Sequence, residues 1–284
     1  MPREQHTFKR LVLGLQPSVP DRVMRLAAAL AELLDLDLLG LFLEDTSLHD
    51  LARYPFAREL QPINGGWHAI DVERLSANIE NAARTIEKVF SDIAKRAATR
   101  HQFEIVRGPV TVTLPSISRS SDIVMIIEPT SATDRAGQQF MWLIEAAFRS
   151  DAAVMIVPPR IARISGPVLA IAARPDDSSI DAAAAIARAA KECLVILDVD
   201  STRINDDAIR KRVAAAGDRI RHVVVGHRAR SDPLALGRAL QQFQERLVVL
   251  SRGIFDDRRT AALASIRNVP VLIVEPEPLR AALS

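Results

Sequence analysis

Short apolar runs alternate with amphipathic segments along the whole chain. Residues 10–16 (RLVLGLQ) form an apolar run that ends in the turn signal Pro17-Ser18-Val19-Pro20. Over residues 21–34, Val23, Leu26, Ala27, Leu30, Leu33 and Leu34 recur at helical spacing, with Asp21 placed to cap the helix. A second apolar run, 37–43, follows within a few residues. A strand, a helix and a strand so tightly joined predict a right-handed crossover in a parallel sheet. The pattern restarts at residue 168. It runs through an apolar stretch (168–173), the turn and cap Pro175-Asp176-Asp177-Ser178-Ser179, an alanine-rich helix (180–192) and a strand (193–199).

The remaining segments extend both copies. The first continues with a long helix over 73–100, whose stripe includes Leu75, Ile79, Ile86 and Ile93, and a strand at 103–106. A weaker helix at 110–119, broken at Pro115, precedes a strand at 122–127 that is apolar throughout and so buried on both faces. A helix at 137–149 and a strand at 153–157 close the copy. The second copy continues with a helix at 206–216, a strand at 222–226, a helix at 234–244, a strand at 246–251, a helix at 258–266 and a strand at 271–274. The closing segments match: Ala153-Val154-Met155-Ile156-Val157-Pro158-Pro159 against Pro270-Val271-Leu272-Ile273-Val274-Glu275-Pro276. The expected fold class is α/β, with two tandem doubly wound, Rossmann-like domains of five parallel strands each, at 1–160 and 165–284. The first copy is the longer, and most of its surplus is an excursion at 44–72. That segment reads either as a surface loop whose aromatics pack down, or as a lid or partner surface presenting Tyr54, Phe56 and Trp67.

Composition narrows the class. With 48% hydrophobic and 25% charged residues in 284, the chain is neither disordered nor a collagen nor a coiled-coil rod. Uncharged apolar runs such as 123–127 fall far short of the roughly 20 residues that span a bilayer. No apolar segment of signal-peptide type follows MPREQHTFKR, and the one cysteine can make no internal disulfide. A soluble cytoplasmic protein without a membrane partner is expected. Basic residues number 37 against 35 acidic and are spread along the chain, and aromatics are 4%. A nucleic-acid partner, which needs clustered cations and interleaved aromatics, is not expected.

Candidate chemistry is sparse. His222 and His227 flank a strand at odd spacing, which sends their side chains to opposite faces. His49 and His68 lie in the excursion near acidic residues, but no metal motif supports them, and no metal site is expected. Neither a serine-hydrolase elbow nor a P-loop is present, and Ser18 and Ser178 have no histidine placed by sequence to activate them. No catalytic residue is assigned. Cys193 reads as a small buried apolar residue, and Glu44, Asp45, Asp198 and Asp200 as solvated ends of second strands.

The two closing segments, together with the two opening strand–helix–strand units, resemble a tandem universal stress protein. So do Leu39-Gly40-Leu41-Phe42-Leu43-Glu44-Asp45 and the stretch from Leu51 to Glu59. The resemblance implies an intrachain pseudo-dimer whose closing strands meet at a pseudo-two-fold axis, with a homodimer left open. It also implies, in nucleotide-binding members, an Asp ending the first strand and a Gly-x2-Gly-x9-Gly-Ser/Thr loop after the fourth. Such a loop lets backbone and helix-start amides face phosphates. Here the Asp position carries Gln16 in the first copy and Ala173 in the second. The first copy's loop reads Glu128-Pro129-Thr130-Ser131, and the second keeps a single glycine, Gly253. The family-position candidates for a cofactor are thus Gln16, Ser18, Glu128, Thr130, Ser131 and Gly253. Neither copy is expected to bind ATP in the family manner. The expectation is a non-enzymatic stress-response or regulatory protein that binds a protein partner or small ligand and needs no cofactor. The alternative is an ATP- or AMP-binding member, with weak ATPase activity, whose diverged loop uses Arg107-Gly108, Arg252-Gly253 and the hydroxyls at 130, 131 and 133.

Overall fold

The computed structural model describes residues 8–15, 19–44, 52, 54, 56–60, 65–199, 213, 219–225 and 233–275. The chain divides into two units, Arg10–Ser118 and Arg119–Ser284 with Met1–Lys9.

In the first unit, β1 (Arg10–Leu15), α1 (Asp21–Leu33) and β2 (Asp37–Glu44) form the opening crossover. There follow β3 (Arg58–Leu60), β4 (Trp67–Ala69), α2 (Val72–Arg96), β5 (His101–Arg107) and α3 (Val110–Ile117). β2 runs parallel to β1 on one side and to β5 on the other, with Arg10 opposite Asp37 and Leu38 opposite His101. Leu11, Leu13, Leu39, Leu41 and the Phe90 ring are almost wholly buried. Gly40 lets that ring lie on β2, since a Cβ there would stand 2.9 Å from it. The Asp71 carboxylate starts α2 by accepting from the Arg74 amide at 3.0 Å, and Ala98 ends it in the left-handed region at φ 51°.

The structure refines several local expectations. Pro20, not Asp21, holds the cap position of α1; Asp21 lies in the first turn, 3.8 Å from Arg25. Pro115 does not break its helix, which ends two residues later. Within the excursion β3 and β4 make an antiparallel hairpin that the pattern did not reveal. Three residues per strand are too few for alternation to register.

The second unit holds β6 (Asp122–Ile127), α4 (Ala132–Ala136), α5 (Gln138–Arg149), β7 (Ala153–Val157), β8 (Val168–Ala172), α6 (Ser178–Ala190) and β9 (Leu194–Asp198). It continues with β10 (Ile220–Val224), α7 (Pro233–Ala239) running into a 3-10 turn at Leu240–Gln242, β11 (Leu247–Ser251), α8 (Asp257–Arg267) and β12 (Val271–Val274). The strand order is β10-β9-β8-β11-β12-β7-β6. The five strands of the second copy therefore lie in the order third, second, first, fourth, fifth, which is the doubly wound arrangement. Every residue of β7, β8, β9, β11 and β12 is buried, as parallel strands covered on both faces require.

β12 then pairs antiparallel with β7, Val271 opposite Ile156 and Ile273 opposite Val154. The two closing segments that match in sequence thus meet along one seam. The last two strands of the first copy and all five of the second form one continuous sheet. Each closing strand is thereby paired on both sides, β7 with β6 and β12, and β12 with β11 and β7, as buried strands require. The helix expected at 206–216 lies almost wholly outside the described residues.

Candidate functional site

Strand order reverses between β8 and β11, so the crevice at their carboxyl ends is where an open α/β sheet takes a ligand. In this chain the crevice is lined by the start of α6 and the end of β11. Asp177 is the cap residue of α6. One of its oxygens, Oδ1, accepts from the Ser179 amide at 3.0 Å and from the Ser251 hydroxyl, and Oδ2 accepts from the Ala173 amide at 3.2 Å. The Ser178 hydroxyl donates to the Glu275 carbonyl at 2.7 Å and lies 2.9 Å from the Ser251 hydroxyl. The Ser179 hydroxyl returns to the Ile171 carbonyl at 3.0 Å. All four side chains are buried. A carboxylate therefore stands where helix-start amides favour an anion, and it takes up one of those amides, that of Ser179, along with the Ala173 amide that follows β8 and the Ser251 hydroxyl. A second anion at about 4 Å would meet a repulsion on the order of 4 kcal/mol at an effective dielectric of about 20. By sequence alone, 175–179 reads only as a turn and cap. Asp177 and Ser251 are 74 residues apart, so no spacing could have paired them.

Gly253, next to this crevice, has φ +86°, and a Cβ there would meet nothing within 4 Å. It serves the turn in which the Ile254 amide bonds the Ser251 carbonyl at 3.3 Å. The neighbouring Arg252 points away from the crevice. It donates to the carbonyls of Phe148, Ser150 (3.3 Å) and Ala152 (3.2 Å), lies 5.4 Å from the centre of the Phe148 ring and pairs with Glu275 at 2.5 Å. A guanidinium on the Phe148 carbonyl, in the last turn of α5, and on the Ser150 cap carbonyl is favoured by the helix dipole.

After β6, the structure brings Glu128, Thr130 and Ser131 together, and closes the loop on itself. Arg135 donates to the Pro129 carbonyl at 2.9 Å and the Thr130 carbonyl at 3.1 Å. The Ser131 hydroxyl caps α4, accepting from the amides of Thr133 and Asp134. Glu128 is buried and accepts from the Ser265 hydroxyl of α8. Burial pushes its carboxyl above the ordinary glutamate value, against the Ser265 bond and the Arg135 charge, which pull it down. Between the unfolded-chain value and this raised one, the native state holds more protons, so stability falls as pH rises through that window. Glu128→Gln, which keeps the acceptor, is expected to flatten the fall. Urea midpoints from pH about 4 to 8 check this, and parallel curves for variant and parent would refute it.

Gln16 and Ser18 lie outside the described residues, as do His49, Asp45, Asp200 and His227. The strand-end acids Glu44 and Asp198 are buried rather than solvated. Glu44 accepts from Arg107 at 2.8 Å, because the parallel register sets the last residue of β5 beside the last residue of β2. Cys193 is half-buried, and its thiol donates to the Arg219 carbonyl at 3.1 Å. Tyr54, Phe56 and Trp67 do not pack down: they are 54, 74 and 64% exposed, and the first two stack at 5.3 Å. Among the described residues no group of three His, Cys, Asp or Glu side chains is placed to hold a metal ion, and no helix is long and apolar enough to cross a membrane.

No family model matches the chain, and no curated protein does. Solved structures match over nearly its whole length. A universal stress protein from Archaeoglobus fulgidus DSM 4304 superposes with a TM-score of 0.70 at 11% identity, covering 95% of this chain and 97% of that one. A functionally unknown protein from Pseudomonas aeruginosa PAO1 does so with 0.55 at 12% identity, covering 97% and 95%. The fold is therefore the α/β, Rossmann-type fold of the universal stress proteins.

Proposed function

We propose that this chain is a universal-stress-protein-like regulator that acts without a nucleotide or a catalytic step, by binding a protein partner or small ligand. The observation that carries this reading is the buried Asp177 carboxylate at the start of α6, in the crevice between β8 and β11. A phosphate chain does not fit there: its charge is opposed, and the Ser179 amide at the helix start and the Ala173 amide after β8 are already used. The cations that a diverged loop would recruit are engaged elsewhere, Arg252 on α5 and Arg107 on Glu44. In the first copy, Ser131 and Arg135 spend their hydrogen bonds on their own loop. The exposed aromatics Tyr54, Phe56 and Trp67 are the proposed partner surface, since solvent-facing aromatics supply contact area at low entropic cost. Titration calorimetry with ATP, ADP and AMP is expected to give no saturable one-site heat. Binding with a submillimolar Kd and one site per chain would overturn the proposal.

A further inference from the structure

The residue that follows the fourth strand of each copy occupies equivalent backbone positions. The Glu128 amide bonds the Val157 carbonyl at 2.9 Å, and the Arg252 amide bonds the Val274 carbonyl at 2.8 Å. Val157 and Val274 are themselves matched in the two closing segments. Each of these residues then sends its side chain across the β7–β12 seam. Glu128, from the first copy, accepts from Ser265 in the last helix of the second. Arg252, from the second copy, donates to Phe148 in the last helix of the first. The targets are equivalent too, Phe148 standing five residues before Ala153 and Ser265 five before Pro270.

We infer that Glu128 and Arg252 form a reciprocal latch, each copy gripping the other's last helix, that holds the antiparallel β7–β12 seam closed. This goes beyond the proposed function, since a latch can hold whether or not a nucleotide binds. The seam needs such a device because its own ladder is short: three residue pairs join β12 to β7, against five joining β6 to β7. The two arms differ in chemistry. On one side a guanidinium spans three carbonyls, the Phe148 ring and Glu275. On the other, a buried carboxyl takes one hydroxyl. The Arg252 arm therefore carries most of the grip, because hydrogen bonds to a charged group are the stronger kind.

Hydrogen exchange on the whole chain, read by mass spectrometry, tests the latch. Arg252→Met is expected to speed exchange of the β7 and β12 amides about tenfold or more, with the β8 and β9 amides little changed. Ser265→Ala, acting from the other side, should do the same to a smaller extent. Arg252→Lys, which keeps the charge but not the fork, should fall between Arg252→Met and the parent protein. If Arg252→Met does not fold, the other two variants carry the test. Seam amides that exchange at the parent rate in the folded variants, or a rise spread evenly over all strands, would overturn the latch.

Discussion

Arg267→Met is expected to cost about 3–5 kcal/mol of folding stability, the loss typical when one member of a buried ion pair is removed. Arg267 ends α8 with 9% of its side chain exposed, and its partner Glu245 is 0% exposed. The pair is bidentate, with Nε 2.7 Å from Oε1 and Nη2 3.1 Å from Oε2. The same guanidinium caps the carbonyls of Leu240 at 3.0 Å and Phe243 at 3.3 Å, where the 3-10 turn gives way to β11. Methionine fills much of the volume but leaves a buried carboxylate without its counter-charge and takes a donor from the Phe243 and Leu240 carbonyls, of which the second keeps the Phe243 amide. At about 2–4 °C per kcal/mol, the midpoint should fall by roughly 6–20 °C. Adding Glu245→Met should recover part of the loss, since an apolar pair of similar volume carries no buried charge. A single variant within about 1 kcal/mol of the parent would show that the pair contributes little.

Gly166→Ala is the second large effect. Gly166 has φ +121°, and a Cβ there would stand 2.3 Å from the backbone carbonyl oxygen of Gln244. That carbonyl cannot swing aside, because the chain beside it is fixed: the Arg246 amide bonds the Pro167 carbonyl at 3.0 Å. Backbone strain of about 1–3 kcal/mol and an overpacking cost of about 1–3 kcal/mol should combine. Gly253→Ala provides the comparison, having positive φ but open space, and should show only the strain. Denaturant unfolding of both variants decides the matter. Equal losses would mean that the Gln244 contact adds nothing.

The elements themselves were legible because their cause is local. Helical spacing places α1, α2 and α6, and uninterrupted apolar runs place β6, β7 and β12, to within a few residues. The repeat was legible for the same reason, since Val154–Val157 and Val271–Val274 share one apolar pattern. What spacing could not convey was the use made of the polar residues. Asp177 looked like a cap and is also the acceptor for Ser251. Glu128 and Arg252 stood at positions where the resemblance placed a phosphate loop, and both turn to the neighbouring copy instead.

Taken alone, the amino-acid order determined an α/β chain, its recurring opening and closing segments and the absence of a glycine-rich loop, because each is written within a few dozen consecutive residues. Only the tertiary structure decided that β12 lies antiparallel on β7, that a carboxylate fills the crevice between β8 and β11, and that Arg267 is buried on Glu245. The physical reason is distance along the chain. Ser251 finds Asp177 across 74 residues, Phe148 meets Arg252 across 104, and Ser265 reaches Glu128 across 137. Which partner a buried polar group finds depends on sheet order and helix placement, while local patterns determine only that a strand or a helix will form.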